Sequence, residues 1–235
     1  MERVKQGISI LIPCLNEEKT IGHCIRKAQS FLRESKQDGE ILVIDNAGTD
    51  GSGELAKKLG ARVHYEPERG YGAAVRAGIE AAGYEYIIMG DADDSYNFLE
   101  IAPFLKKLEE GYDLVVGNRF LGKIAPGAMP FHHRYIGNPL LSGIGKWKYK
   151  TAISDFHCGL RAFRRSSIQA LGLEGKGMEL ASEMIVKAAV HSLKMTEVPC
   201  NLYPDGRDAP SHLRWFIDGF RHLKVLLLSN NKKER

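Results

Sequence analysis

From residue 8 to residue 119, short apolar runs alternate with stretches of helical periodicity, and this alternation restricts the fold more than any other feature of the chain. Residues 8–13, 40–45, 62–65, 86–90 and 114–117 have strand length, while 17–35, 51–59, 72–82 and 98–109 repeat their apolar residues at helical spacing. Neighbouring parallel strands need a crossover long enough to hold a helix. A strand–helix–strand order therefore implies an α/β fold: a mostly parallel central sheet with helices on both faces. Ligands of such sheets bind beyond the carboxyl ends of the strands. Polar residues gather at those places: Asn16-Glu17, Asp45-Asn46, Asp91-Ala92-Asp93 and Asn118-Arg119 each follow a strand run. These separate clusters are thereby directed to one edge of one sheet.

A chain of 235 residues, 43% of them hydrophobic, suits one such domain rather than two. The net charge of +4 is too small to imply a nucleic-acid partner. Cys14, Cys24, Cys158 and Cys200 form no CxxC pair and no zinc or disulfide spacing, so free thiols in a reducing cytosol are expected. Residues 1–6 lead straight into the first strand without an apolar signal region, and no run reaches the ~20 apolar residues of a spanning helix. A cytoplasmic location is the expectation; oligomeric state is left open, and a homo-oligomer is compatible with all of this. Residues 120–151 break into a Gly-, Pro- and His-rich stretch that reads as a long loop. Helical spacing returns at 166–171 and 179–191, a strand fits 195–199, and a last helix runs from about 213 to 229.

Asp91-Ala92-Asp93 carries the most chemistry. In an extended segment, side chains two residues apart project to the same side. Two carboxylates so placed can hold a hard divalent cation, which in turn neutralises a diphosphate. Asp94 and Ser95 put further oxygens nearby. The same residues could instead form an acidic turn that caps the next helix. Asp45 could accept from a nucleotide base or ribose, or close an Asx turn. Gly48, Gly51 and Gly53 read as turn residues; they do not make GxGxxG, so dinucleotide binding is unsupported. Arg69-Gly70-Tyr71-Gly72 is a basic loop entering a helix whose free N–H groups would suit a phosphate or a carboxylate.

Pro13-Cys14-Leu15-Asn16-Glu17, Val43-Ile44-Asp45-Asn46, the run from Arg69 to Gly78, Asp91-Ala92-Asp93 and Gly117-Asn118-Arg119 occur in an order and at a spacing that resemble the family 2 glycosyltransferases of the GT-A fold. Within that family the chain is similar to the polyprenyl-phosphate sugar synthases, of the dolichyl-phosphate mannose synthase kind. Ser154-Asp155, the run from Gly159 to Arg165 and the run from Glu183 to Ala188 extend the likeness over nearly the whole chain. His133-Arg134 and Gly137-Asn138-Pro139 point to a bacterial or archaeal branch.

The resemblance implies a Rossmann-like catalytic domain over 1–212, with a nucleotide-sugar half at about 1–119 and an acceptor half at about 120–212. It implies that Pro13, Leu15, Glu17 and Asp45 hold the nucleotide, and the basic loop adds Arg69 to the donor set. Asp91 and Asp93 would hold Mg²⁺ or Mn²⁺ and the diphosphate, with Asp93 directly in the chemistry. Arg119 and Arg134 would meet the acceptor phosphate. Two positions depart from the family pattern. Asn46 stands where a second carboxylate is common, and Asp94 stands where an apolar residue is more common, which bears on what surrounds the metal. Asp155 precedes Cys158-Gly159, where relatives that glycosylate alcohols place a general base. A phosphate monoester, with a second pKa of about 6, is largely a dianion at pH 7 and needs no such base. With a lipid phosphate as acceptor, Asp155 would instead orient an arginine such as Arg161 or Arg134.

Leu213, Phe216, Ile217, Phe220, Leu223 and Leu227 recur at i, i+3, i+4 spacing near the C-terminus. Arg214, Asp218, Arg221, His222 and Lys224 lie mostly elsewhere on the wheel. Residues 213–235 thus read as an amphipathic helix and tail at a membrane interface, or as a helix docked on its own core. The expected activity is metal-dependent, inverting transfer of a sugar from a UDP- or GDP-linked donor to a polyprenyl phosphate (dolichyl or undecaprenyl), by an enzyme peripheral on the cytoplasmic face of the membrane. A family 2 enzyme acting on a hydroxyl would need Asp155 as a working base and no membrane helix. A nucleotidyltransferase would carry a basic Gly-rich signature that residues 11–18 lack. A non-catalytic subunit has no use for Asp91, Asp93 and Arg119 together.

Overall fold

The computed structural model describes residues 7–207 and 215–228. Strand β1 (Ile8–Cys14) is buried along its whole length, as a strand must be when parallel neighbours flank it and helices cover both faces. Helix α1 (Ile21–Ser35) follows, then β2 (Gly39–Asp45), α2 (Ser52–Lys58), β3 (Arg62–Tyr65), α3 (Tyr71–Ala81) and β4 (Tyr86–Met89). All these strands pair in parallel, with β3 outermost, β2 and β1 inward of it, and β4 on the far side of β1. The chain winds outward in one direction and then returns to the opposite flank of β1. That reversal opens a crevice between the ends of β1 and β4, where open α/β sheets bind their ligands.

The second half comprises α4 (Ala102–Glu109), β5 (Leu114–Asn118), α5 (Asn138–Tyr149), β6 (Arg161–Arg164), α6 (Arg165–Gln169), α7 (Leu180–Val190), β7 (Met195–Pro199) and α8 (Trp215–Leu228). Strand β6 is antiparallel and wedged between β4 and β5, and β7 pairs in parallel with β5 at the sheet's edge. Strand β6 was not legible from the residues alone. Arg161-Ala162-Phe163-Arg164 is too short to display a period, and arginines at both ends disguise it. Its direction has a consequence for the site. Because β6 runs against its neighbours, the residues before it arrive at the carboxyl edge: Met89 pairs with Arg161, and Gly117 N–H donates to Leu160 O at 2.9 Å.

Other boundaries shift for local reasons. Helix α1 starts at Ile21 rather than 17, because the amides of Thr20 and Ile21 both bond to the Glu17 carbonyl in a turn. The expected helix over 98–109 is split into a 3-10 turn at Phe98–Glu100 and α4, with a proline in the first turn of α4, where its missing N–H costs nothing. The stretch 120–151, expected as a loop, contains a turn of π-helix at His133–Gly137 that runs into α5. Pro139 and the glycines of α5 hid its periodicity, although Pro139 falls in the first helical turn. Gly145 is there for packing, since a Cβ would strike the Phe156 ring. All four cysteines are buried free thiols.

Helix α8 lies against α5 and α7. It turns Asp218, His222 and Leu226 inward and leaves Ile217, Phe220 and Leu227 exposed. His222 Nδ1 sits 2.8 Å from Ser182 Oγ, and its ring meets that of His157 edge-on at 4.6 Å. Lys148 Nζ donates to the carbonyls of Leu226 (3.0 Å) and Leu227 (2.7 Å), and Tyr149 Oη donates to Leu226 (2.9 Å). A cation thus closes the carbonyl end of the helix, where its dipole favours one. Leu213 and Arg214 lie outside the described residues. Among the described residues no helix is long and apolar enough to cross a membrane.

Candidate active site

The turn after β1 is built to hold a side chain over the crevice. Asn16 adopts φ 56°, a left-handed conformation that asparagine tolerates better than most residues. Its Oδ1 accepts from Thr49 N–H at 2.7 Å, Glu17 N–H donates to Ser52 Oγ at 2.8 Å, and Glu18 N–H donates to Asp50 Oδ2 at 3.0 Å. These bonds pin the turn to the start of α2 and shape a cleft lined by Asn16, Glu17, Thr20, Asp50 and Arg207. Pro13 is buried in β1, and Leu15 is half-buried just beyond it. Asp45 Oδ1 accepts from Gly48 N–H at 2.9 Å, which closes the turn after β2.

Asn46 has a task no carboxylate could perform. Its Nδ2 donates to the carbonyls of Glu68 (2.6 Å) and Glu66 (3.3 Å), while its Oδ1 accepts from Gly70 N–H (2.7 Å). A second acid here would lose both donor bonds and release the 66–70 loop. Arg69 is exposed on that loop, its Nη2 on Ala47 O at 3.2 Å. The start of α3 departs from expectation: the amides of Gly72 and Ala73 donate to Lys176 O at 2.9 and 3.2 Å, so the chain itself satisfies them.

Asp91 and Asp93 stand at the mouth of the crevice, beyond β4. The Tyr71 hydroxyl lies near enough to Asp91 to favour its charged form. A Cβ at residue 159 would overlap the Asp91 carboxylate, so only glycine lets the segment before β6 pass this close. Asp93 Oδ1 accepts from Ser95 N–H (3.0 Å) and Ser95 Oγ (2.6 Å). Its Oδ2 accepts from Arg207 Nη2 at 2.6 Å, and Arg207 Nη1 lies 3.2 Å from Glu17 Oε1. Asp94 resolves the question its identity raised. With φ 64° it turns its carboxylate away from this pair and onto Lys27, at 2.7 and 3.0 Å.

Burial, reinforced by the charge of Asp93, pushes Asp91 up to about 7. Burial also pushes Glu17 up to about 7; Asp93 adds to this, and Arg207 opposes it. These carboxylates are short of positive charge. The donor set is all oxygen and fits a hard dication that takes its remaining ligands from phosphate. Among the described residues no group of three or more His, Cys, Asp or Glu side chains forms a metal site by itself.

A pH prediction follows. Below pH 7 the folded chain keeps protons on these acids that the unfolded chain, with ordinary values of 3.8 and 4.5, has released. Stability of the ligand-free protein should therefore fall as pH rises from about 4.5 to 7, and flatten above. If these acids hold a cation with a nucleotide, that binding should run the other way, tightening by about tenfold from pH 6 to 7.5, because a cation needs ionised ligands. Melting curves and calorimetric titration with Mg²⁺ and UDP or GDP check both slopes; an affinity flat over that range would contradict the assignment.

The strand end after β5 carries a buried ion pair. Asp155 is fully buried and receives Arg119 Nε on Oδ2 (2.8 Å), Arg119 Nη2 on Oδ1 (2.7 Å) and Arg119 N–H on Oδ2 (3.1 Å). Glu197 on β7 sets the frame: its Oε1 accepts the amides of Ser154 (2.6 Å) and Asp155 (2.9 Å), and its Oε2 accepts Asn118 Nδ2 (3.0 Å). Asp155 thus orients an arginine, but that arginine is Arg119. Arg161 is fully buried and donates to the carbonyls of Cys158 (2.9 Å), Phe156 (2.7 Å) and Ala181 (2.7 Å), a purely architectural role. Arg134 lies over the Tyr135 ring at 5.4 Å. Burial, with the charges of His132 and Arg119 adding to it, holds the His133 pKa down.

A parallel sheet that reverses between β1 and β4, with paired acids at the reversal, defines the GT-A class of transferase fold. Residues 9–172 match the family "Glycosyl transferase family 2", and the chain belongs to that family. The low-salt glycan biosynthesis hexosyltransferase Agl6 of Haloferax volcanii is 37% identical over 223 residues, which cover 94% of this chain and 53% of that protein. Glycosyltransferase AglJ of the same organism is 35% identical over 86% of this chain and 65% of its own length. The chain therefore spans between half and two thirds of these relatives. The dolichyl-phosphate hexose transferase of Haloferax volcanii is 29% identical over 82% of this chain and 81% of its own. The glucosyl-3-phosphoglycerate synthase of Mycobacterium tuberculosis, solved with Mn²⁺, UDP and glucosyl-3-phosphoglycerate, superposes with a TM-score of 0.72 at 21% identity, over 94% of this chain and 79% of that one.

Proposed function

We propose that the chain transfers a hexose, with inversion, from a UDP- or GDP-linked donor to a polyprenyl phosphate at the cytoplasmic face of a membrane. Glu17 and Asp45 would face the nucleotide, with Arg69 on the adjoining loop. Asp91 and Asp93 would hold Mg²⁺ or Mn²⁺, and that cation would neutralise the departing diphosphate. One observation carries the acceptor class. Both Asp155 oxygens are bonded to Arg119 in a fully buried pair, so this carboxylate is poorly placed to take a proton from a hydroxyl. A phosphate dianion asks only for positioning and charge, which Arg119 and Arg134 would supply.

The outer face of the acceptor half supports the same reading. Trp147 on α5 is 82% exposed, Phe131 before the π-turn 72% and Phe220 on α8 69%, with Tyr135, Ile136 and Leu140 also exposed. Exposed Lys146, Arg221 and Lys224 accompany them. Apolar side chains beside cations suit the boundary between lipid head groups and acyl chains. The proposed membrane-facing surface would include α5 and the π-turn as well as α8.

The expected result is flotation of the chain with phosphatidylglycerol vesicles at low salt and its release at high salt. Trp147→Glu/Phe220→Glu should cut partitioning by about tenfold or more, as loss of two buried aromatics requires. Radiolabelled hexose should pass to undecaprenyl phosphate and not to undecaprenol. Transfer to a hydroxyl acceptor of comparable rate, or equal flotation of both chains, would overturn the reading.

A further inference from the structure

The segment after β7 returns across the carboxyl edge and is fastened to the acidic turn. Tyr203 N–H donates to Ser95 O at 3.0 Å, and Gly206 N–H donates to Asp93 O at 2.9 Å. Tyr203 Oη and Asn201 Nδ2 both bond to Glu100, at 2.9 and 3.0 Å. The next residue, Arg207, is thereby tethered over the crevice. Its guanidinium touches Glu17, Asp93 and Asp205 at 3.2, 2.6 and 3.5 Å. Its Nε is buried and has no hydrogen-bond partner among the described residues.

Asp93 has one oxygen committed to Ser95 and the other to Arg207. A divalent cation that uses Asp93 must therefore approach the oxygen Arg207 holds, and two cations on one oxygen repel strongly in a half-buried site. A diphosphate changes the balance, because it offers the guanidinium oxygens of its own to bond, including for the unpartnered Nε–H. We propose that Arg207 is a tethered counter-ion: it competes with the divalent cation for Asp93 and Glu17, and yields them only when donor phosphates arrive, so that cation and nucleotide bind as one. This rests on the assignment of Asp91 and Asp93 as the cation's ligands, and it adds a residue that sets the order of loading.

The probe is Mn²⁺, followed by the loss of its free electron paramagnetic resonance signal on titration into the full chain, with and without UDP or GDP. The wild-type chain should bind Mn²⁺ weakly alone and at least about tenfold more tightly with the preferred nucleotide. Arg207→Gln should bind Mn²⁺ alone about tenfold more tightly than wild type, so that most of the nucleotide's effect disappears; Arg207→Lys, which keeps the charge, should resemble wild type. Should Arg207→Gln fail to fold, the Arg207 Nε–H resonance of the ¹⁵N-labelled wild type gives the answer, assigned through Arg207→Lys: it should move on adding Mg²⁺ with nucleotide and stay in place with Mg²⁺ alone. If wild type binds Mn²⁺ with nucleotide but Arg207→Gln binds Mn²⁺ alone no better than wild type, or if Mg²⁺ alone moves that resonance, the counter-ion proposal is overturned. If wild type takes up no Mn²⁺ even with nucleotide, the cation assignment itself fails.

Discussion

Asp93→Asn should lower sugar transfer by about a thousandfold, roughly 4 kcal/mol of transition-state stabilisation, while the protein stays folded. The amide keeps the shape of the side chain, and its oxygen can still accept from Ser95. It removes the negative charge that a dication would use to hold the diphosphate as it departs. EDTA should inactivate the wild-type chain to a similar degree, and Mg²⁺ or Mn²⁺ should restore wild type but not the variant. Initial rates with saturating donor, and a thermal melt of each chain, make the comparison. Wild-type turnover that persists in EDTA would remove the cation from the mechanism.

Breaking the Arg119–Asp155 pair should have the largest effect on the fold. Asp155→Ala leaves the Arg119 guanidinium with neither of its carboxylate bonds, and Arg119→Met leaves a fully buried carboxylate with only amide donors. Removing one partner of such a pair costs about 3–5 kcal/mol. For a chain of this size, about 10 °C in Tm is expected. Arg119→Met/Asp155→Leu, which replaces both charges with apolar groups, should recover most of that stability, because no charge is left stranded. It should not recover transfer, because the arginine proposed to meet the acceptor phosphate is gone. Calorimetric Tm values and transfer rates for the four chains separate the two roles. A double variant as active as wild type would show that the pair serves only the architecture.

Much of the first half was legible because parallel strands buried on both faces must be written as apolar runs. The polar residue that ends each run marks where the chain leaves the sheet. Asn16-Glu17, Asp91-Ala92-Asp93 and Asn118-Arg119 could be directed to one edge on that basis alone. The second half was far less legible. Strand β6 is too short to show a period, yet it is central: its antiparallel course brings Gly159 against Asp91 and Asp155 against Arg119. Helix α5 was masked by Pro139 and its glycines, each harmless only because of where it falls. In α8 the apolar period was plain, but periodicity could not say which face turns inward. Ser182, set on α7 at hydrogen-bonding distance from His222, accompanies the inward turn of the polar face.

The order of residues was enough to set the α/β alternation, the edge at which polar residues would gather and the carboxylates that face it. Strand length, helical period and the polar ends of strands are local properties, and local properties are written in order along the chain. Tertiary structure alone decided the partners. Arg207 meets Glu17 across 190 positions and Asp93 across 114, and Glu197 frames a loop more than 40 residues away. Whether Asp94 joins the acidic pair or turns to Lys27 depended on one backbone angle. Pairings of this kind are set by how the sheet is ordered and by which direction each strand runs, and no window of sequence contains that information.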